Sequence, residues 1–389
     1  MFSSRLTSDL HPNRLAQLLQ AKRQQGATLL DLTQSNPTQA GFSYPEQEIL
    51  QALADPRSLC YEPSPQGLAQ AREAVCFYYE ARGHQVEPER IFLTASTSEA
   101  YSYLFKLLAD PGDAILVPRP SYPLFGYLAE MESARAVPYP LVYQEGWGVD
   151  FDGLSQALSS RSRALVVVHP NNPTGSFLKK KELERLLALC AEHNLALISD
   201  EVFSDYAFAP DATRVPTLAD VDSVLTFCLS GLSKVAGLPQ LKLSWIVLAG
   251  PRNTWERARE RLELIADTYL SVSTPVQHAL PRLLAAGVNI RAQIAARVRE
   301  NLTFLRQSLR QGPCRLLDVE GGWYAIIQVP RTHSEEEWCL QLLEQDDVLV
   351  QPGFFYDFDS EAFLVLSLLT PTEMFQEGVA RMLARVSGG

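Results

Sequence analysis

Strand-like and helix-like stretches alternate along most of this chain, and that alternation restricts the fold more than any other feature. After a small entry segment, with a helix expected over 11–22 and a short strand over 29–32, a helix pattern at 66–81 leads into strand patterns at 90–93, 114–117, 141–143, 164–168, 196–198, 224–228 and 244–248. Strands interleaved with helices build an α/β fold with a mostly parallel, doubly wound sheet. From residue 276 the texture changes. A long helix over 289–311, a strand over 323–329, a helix over 334–345 and a strand over 363–369 read as a compact α+β unit. A chain of 389 residues exceeds the size at which one core keeps growing, so two domains are expected.

Three polar residues stand where such a sheet exposes its ligand edge, outside the carboxyl ends of the strands. Asn172 lies in the turn His169-Pro170-Asn171-Asn172-Pro173-Thr174-Gly175, directly after the apolar run 164–168. Asp200 ends the run 195–199. Lys234 is boxed in by small residues and a Gly-Pro-type turn in Ser230-Gly231-Leu232-Ser233-Lys234-Val235-Ala236-Gly237-Leu238-Pro239. An amide, an acid and a lysine in that order suit pyridoxal 5'-phosphate (PLP): the lysine for the Schiff base, the acid for the pyridinium nitrogen, the amide for the ring oxygen. Upstream, the strand over 91–93 runs through Ala95-Ser96-Thr97-Ser98 into a helix, whose free N–H groups and positive end suit a phosphate. An ordinary helix cap is the plainer alternative for that segment. His169 reads as a packing residue and Glu201 as a structural neighbour of Asp200.

With these motifs in order, the chain resembles the class I/II aminotransferases of the fold-type I PLP-dependent enzymes. The resemblance runs from about Asp31 to the C-terminus and rests on Tyr61 with Gly67-Leu68 and Arg72, on Thr94 to Ala100, on Pro120-Ser121-Tyr122-Pro123, on Asn171 to Gly175, on Asp200-Glu201-Val202, on Ser233-Lys234 and on Gln351-Pro352-Gly353. It implies Lys234, Asp200 and Tyr122 as catalytic residues, with Tyr122 covering the ring. It implies cofactor contacts at Ser96, Thr97, Ser98, Tyr122, Asn172, Asp200, Ser230, Ser233, Lys234 and Lys242. Tyr61 would reach a partner's cofactor phosphate, which implies a homodimer with shared active sites. It also implies that the N-terminal segment joins the C-terminal unit, giving a large PLP-binding domain over 45–285 and a small discontinuous one over 1–44 plus 286–389.

Three departures from the family pattern bear on specificity. Phe203 stands where a tyrosine commonly hydrogen-bonds the ring oxygen, with Tyr206 close enough in sequence to substitute. Lys242 replaces the phosphate-binding arginine expected eight residues after the lysine, keeping charge but losing the planar fork. The arginine that clamps a substrate α-carboxylate is expected about where Val365 stands, and no Lys or Arg occurs from Thr332 to Ala380.

The expected activity is therefore transamination between an amino donor and a keto acceptor. A PLP-dependent lyase or cyclase is the alternative, because the same lysine and electron sink serve elimination. A third reading, a PLP-fold binding module, is disfavoured by the intact Lys234, Asp200 and Asn172. A net charge of −11 without a basic run argues against nucleic acid or an anionic membrane as partner. The six cysteines are scattered without metal-ligand spacing and read as free thiols. Met1-Phe2-Ser3-Ser4-Arg5 opens neither a charged leader nor an apolar signal region, so a cytoplasmic protein is expected.

Overall fold

In the computed structural model, which describes residues 3, 5 and 11–388, the strands of the large sheet carry side chains of alternating destination. Phe92, Ile115, Val166, Ile198, Phe227 and Leu248 face one buried cluster. Their neighbours Leu93, Leu116, Leu165, Leu197, Cys228 and Val247 face the other. Successive residues of a strand point to opposite faces, so runs apolar at every position must be covered twice. Helices accordingly lie on both sides: Thr97–Leu108 and Arg252–Tyr269 on one, Ala69–Glu80 and Thr274–Ser308 on the other.

The sheet has eight strands in the order Ile91–Thr94, Ser244–Ala249, Thr226–Gly231, Ala196–Asp200, Ser162–Val168, Ala114–Arg119, Arg135–Tyr143 and Trp147–Val149. Ser244–Ala249 runs antiparallel to both of its neighbours, and Trp147–Val149 antiparallel to the strand beside it. The remaining pairs are parallel. Pairing brings Thr94 and Gly231 each opposite Ser244, and Asp200 opposite Val168, so the ends that bear chemistry share one edge.

The expected α/β fold with a mostly parallel sheet is present, with two differences. The strand expected at 141–143 begins at Arg135, because Arg135–Pro140 pairs in parallel with Ala114–Arg119. Pro138 and Pro140 hide it, since proline within a run argues against a strand. The helix expected at 289–311 is one 35-residue helix, Thr274–Ser308, with Pro281 inside it. Beyond it, Arg315–Leu316, Tyr324–Gln328, Phe363–Ser367 and Gln351–Pro352 form a four-stranded antiparallel sheet. Leu30–Asp31 pairs in parallel with Val348–Leu349, tying the N-terminal segment to the C-terminal unit. Met1, Phe2 and Ser4 of the expected leaderless start lie outside the described residues.

Candidate active site

Lys234 sits in a one-turn helix, Leu232–Val235, that leaves the strand end at Gly231. The loop after it is held by donors from three elements: the Tyr206 hydroxyl donates to Lys234 O (2.6 Å), Arg291 Nη1 to Val235 O (3.2 Å) and the Tyr44 hydroxyl to Gly237 O (2.8 Å). Small residues let the long helix come close. A Cβ on Gly287 would lie 2.4 Å from the Cβ of Ala236, and Gly237, at φ +64°, has room for none against Ile290. The small residues around the lysine are thus packing requirements that fix where its side chain starts.

The Lys234 ammonium lies 4.6 Å from the centre of the Trp323 ring and 5.5 Å from that of Phe203. Burial pulls its pKa down to about 8, opposed by the nearby Asp200 charge. Asp200 is buried, which pushes its carboxyl up to about 6. Two donors favour the carboxylate: the Val202 N–H on Oδ1 (3.2 Å) and the Tyr101 hydroxyl on Oδ2 (3.0 Å). Glu201, on the opposite face of the strand, is fully engaged by Ser199, Thr217 and the Leu218 N–H, as a structural neighbour would be. His169 accepts from the Leu178 N–H at Nδ1 and donates from Nε2 to Val215 O, so it is a neutral ring whose pKa burial pulls down to about 4.

Asn171 ties its turn to the loop before Tyr122, donating to Pro120 O (3.0 Å) and accepting from Ser121 Oγ (2.8 Å). That leaves the amide of Asn172 facing the cavity, its buried Oδ1 without a protein partner. Gly175, at φ +69°, lies where a Cβ would come within 2.5 Å of Gly321 O, which explains the glycine closing this turn.

A cavity of about 330 Å³ gathers these groups. Ser96, Thr97, Ser98, Tyr122, Asn172, Asp200, Ser233, Lys234 and Lys242 all line it. At one end lies the start of the helix Thr97–Leu108. Ser96 Oγ accepts from the Glu99 N–H there, so its hydroxyl serves the cap, while the first N–H groups of a helix have no acceptor within it. Ser233 and the exposed Lys242 border the same cavity. Tyr122, 40% exposed, stands at its mouth.

Two sequence-assigned contacts do not line the cavity. Ser230 is buried and faces a cleft on the other side of the sheet, with Tyr79, Glu201 and Thr217. The alternation of a strand puts Gly231 in the cavity instead, where a Cβ would come 2.2 Å from Ser244 Oγ. Tyr61 is 74% exposed and borders a separate pocket with Leu270 and Ser271. Tyr206, with its hydroxyl on the Lys234 carbonyl, is committed elsewhere than at a ring oxygen. Val365 is fully buried with Leu317, Ile326 and Tyr356 and does not reach the cavity surface.

The sequence reading missed Tyr101, Tyr324, Ser35 and Trp323. Tyr101 had a signal: it lies one helical turn after Thr97, on the face that turns back toward the strand ends. Tyr324 and Ser35 are brought in by the small sheet and by the N-terminal strand that pairs beside it, contacts without local trace in the sequence.

An acid beside a lysine, an amide on the cavity wall, a close-packed Gly231 and a hydroxyl-lined helix start fit a heteroaromatic ring bearing a phosphate. The chain matches the family described as aminotransferase class I and II over residues 27–382. It is 27% identical over 398 residues to the glutamate-pyruvate aminotransferase of Escherichia coli K12, covering 98% of this chain and 97% of that one. It is 28% identical over 357 residues to the alanine aminotransferase of Mycobacterium tuberculosis H37Rv, covering 89% and 82%. The structure of an alanine aminotransferase from Pyrococcus furiosus has the same fold, with a TM-score of 0.90, 24% identity and full coverage of both chains.

Proposed function

The chain belongs to the class I and II aminotransferases, and we propose that Lys234 is the residue through which this PLP-dependent enzyme holds its cofactor and moves protons. The observation that carries the assignment is the convergence of the Lys234 ammonium, the Asp200 carboxylate and the Asn172 amide on one cavity, with a helix start at its end. When bound, PLP supplies an electron-withdrawing ring that lets a proton leave the carbon beside the substrate nitrogen. Thr97, Ser98, Ser233 and Lys242 would hold the phosphate, and Tyr122 would cover the ring and exclude water. Asn172 would hydrogen-bond the ring oxygen, and Asp200 would keep a proton on the ring nitrogen.

Lys234 then takes the proton from the substrate Cα at Nζ. A pKa near 8 suits this role, because a useful fraction is neutral near pH 8 while its conjugate acid still returns the proton. Tyr206, Arg291 and Tyr44 hold the loop so that Nζ swings from a fixed base. Half-transamination tests the reading: an amino acid should convert the bound cofactor to its amine form without eliminating its side chain. Release of ammonia and a keto acid from serine or cysteine derivatives as the main reaction would instead mark a lyase.

Tyr101 holds Asp200 in its charged state and is a positioning residue. Tyr101→Phe removes a charge-assisted hydrogen bond worth about 1.5–3 kcal/mol, so the Asp200 carboxyl should rise by roughly one to two pKa units. The acid limb of the kcat/KM profile should move upward by that amount, with little change at high pH. An unmoved acid limb would remove Tyr101 from this role.

The reading also includes a homodimer in which Tyr61 reaches the partner's cavity. Leu50 (65% exposed) and Leu59 (93%) lie on elements that pack against the helix bearing Val288 (55%), an apolar flank that favours a partner surface. A large unit over 45–285 and a small one over 1–44 plus 286–389 are proposed as the domains, with the helix Thr274–Ser308 crossing between them. Among the described residues no helix is long and apolar enough to cross a membrane. A cytoplasmic location stays part of the proposal.

A further inference from the structure

The charges lining the cavity are few, and the proposed function uses all of them. Among the described residues its wall carries two cations, Lys234 and Lys242, and one anion, Asp200. On that reading Lys234 serves the cofactor and the proton, Lys242 the phosphate, and Asp200 the ring nitrogen. The wall left for a substrate is formed by Ser35, Tyr122, Val168, Val202, Phe203 and Tyr324.

This remaining wall is aromatic and aliphatic, with neutral hydroxyls. Trp323 backs Phe203 edge-on at 5.3 Å, and Tyr356 lies 6.4 Å from Tyr324, leading into the apolar cluster of Ile326, Leu317 and Val365. Tyr324 lines the cavity together with Ser35, and burial pushes its phenol up to about 12, so it remains an uncharged donor across the working range. The nearby Arg119 is committed: its Nε donates to Asp357 O (2.9 Å) and its guanidinium pairs with Asp359. Arg291 pairs with Asp205 (3.5 Å) and donates to the loop carbonyl of Val235.

Resting on the proposed function, we infer that the amino donor is an amine with an uncharged, apolar body, and that any carboxylate it bears is met only by the neutral hydroxyls of Ser35 and Tyr324. A charge-assisted carboxylate pair contributes on the order of ten- to a hundredfold in binding, whereas a neutral hydroxyl contributes about two- to tenfold. The apolar body, and not the carboxylate, therefore dominates recognition. Aspartate and glutamate would bring a second carboxylate to a wall of rings and methyl groups, where a charge without a partner is costly.

The test uses the PLP-loaded full chain and donor pairs that differ only in the carboxylate: L-phenylalanine with 2-phenylethylamine, and L-leucine with 3-methylbutylamine. Single-turnover decay of the cofactor's visible band gives the second-order constant for each, beside L-glutamate and L-aspartate. Removing the carboxylate should cost tenfold or less, and both acidic amino acids should react at least tenfold more slowly than phenylalanine. Calorimetry on the same holoenzyme gives an independent reading, with 3-phenylpropionate expected to bind at least tenfold more tightly than succinate. A larger penalty for losing the carboxylate, or glutamate or aspartate within tenfold of phenylalanine, would overturn the inference and point to an arginine supplied by a second subunit. If no donor converts the band, the proposed function falls and the inference with it.

Discussion

Lys234→Ala is expected to lower turnover by at least the 10²–10⁴-fold that general acid–base catalysis typically contributes, and to remove the covalent attachment of the cofactor as well. The chain should still fold. The lost ammonium is one that burial disfavours, as its pKa near 8 records, and the tight loop around it is held through backbone carbonyls. The sign of the pH effect follows. A lysine whose folded pKa lies below its unfolded 10.5 costs stability wherever it is charged, so the cofactor-free variant should gain on wild type as pH falls from about 10 to 8. Borohydride reduction followed by peptide mapping checks the attachment. A cofactor found on another lysine would end the assignment, and partial recovery of the variant's turnover by added methylamine would support the proton-transfer role.

Asp200→Asn should leave the cofactor bound through its phosphate while cutting single-turnover rates by on the order of a hundredfold, the scale of one lost charge-assisted pair in a closed site. An amide is nearly the same shape: its oxygen keeps the Val202 N–H, and its NH2 group, set where Oδ2 stood, donates to the Tyr101 oxygen instead of accepting from it, so the change removes the charge with little change in shape. Stability should move the other way. Burial raises the carboxyl from 3.8 to about 6, so the folded cofactor-free chain retains a proton that the unfolded chain has released. The wild type therefore loses stability as pH rises from about 4 to 6, and the loss is complete above that window. Asparagine escapes this cost. The cofactor-free variant should match wild type near pH 4 and exceed it at pH 7–8 by about 3 kcal/mol. Denaturant unfolding at the two pH values measures the difference. Rates within twofold of wild type, or equal stabilities at both pH values, would contradict the role of a buried charge kept for function.

A substitution can thus improve the fold while damaging the chemistry. Asp200 is a carboxyl in a place that burial makes unfavourable for its charge, and two donors favour the carboxylate there; on the proposed function that charge meets a cationic ring. Tyr101 belongs to that arrangement through the hydrogen bond its hydroxyl donates to Asp200.

Much of this was determined by the sequence alone, because it is local. Alternating strands and helices dictate a doubly wound sheet, and such a sheet presents its strand ends at one edge. Asn172, Asp200 and Lys234 each follow an apolar run closely, so their placement at that edge follows from chain order. Tertiary structure decided everything that depends on side-chain direction or on long-range contact. Ser230 and Gly231 are adjacent in sequence, yet the pleat sends only Gly231 to the cavity. Tyr206 and Phe203 are three residues apart, yet one hydroxyl is spent on the lysine carbonyl and one ring packs against Trp323. Ser35 and Tyr324, nearly three hundred residues apart in the chain, meet because Leu30–Asp31 and Tyr324–Gln328 each join strands of the same C-terminal unit. Periodicity encodes which residues begin and end an element, since that is set by neighbours along the chain. Which element faces it across a cavity is set by the packing free energy of the whole molecule, and no window of sequence contains that sum.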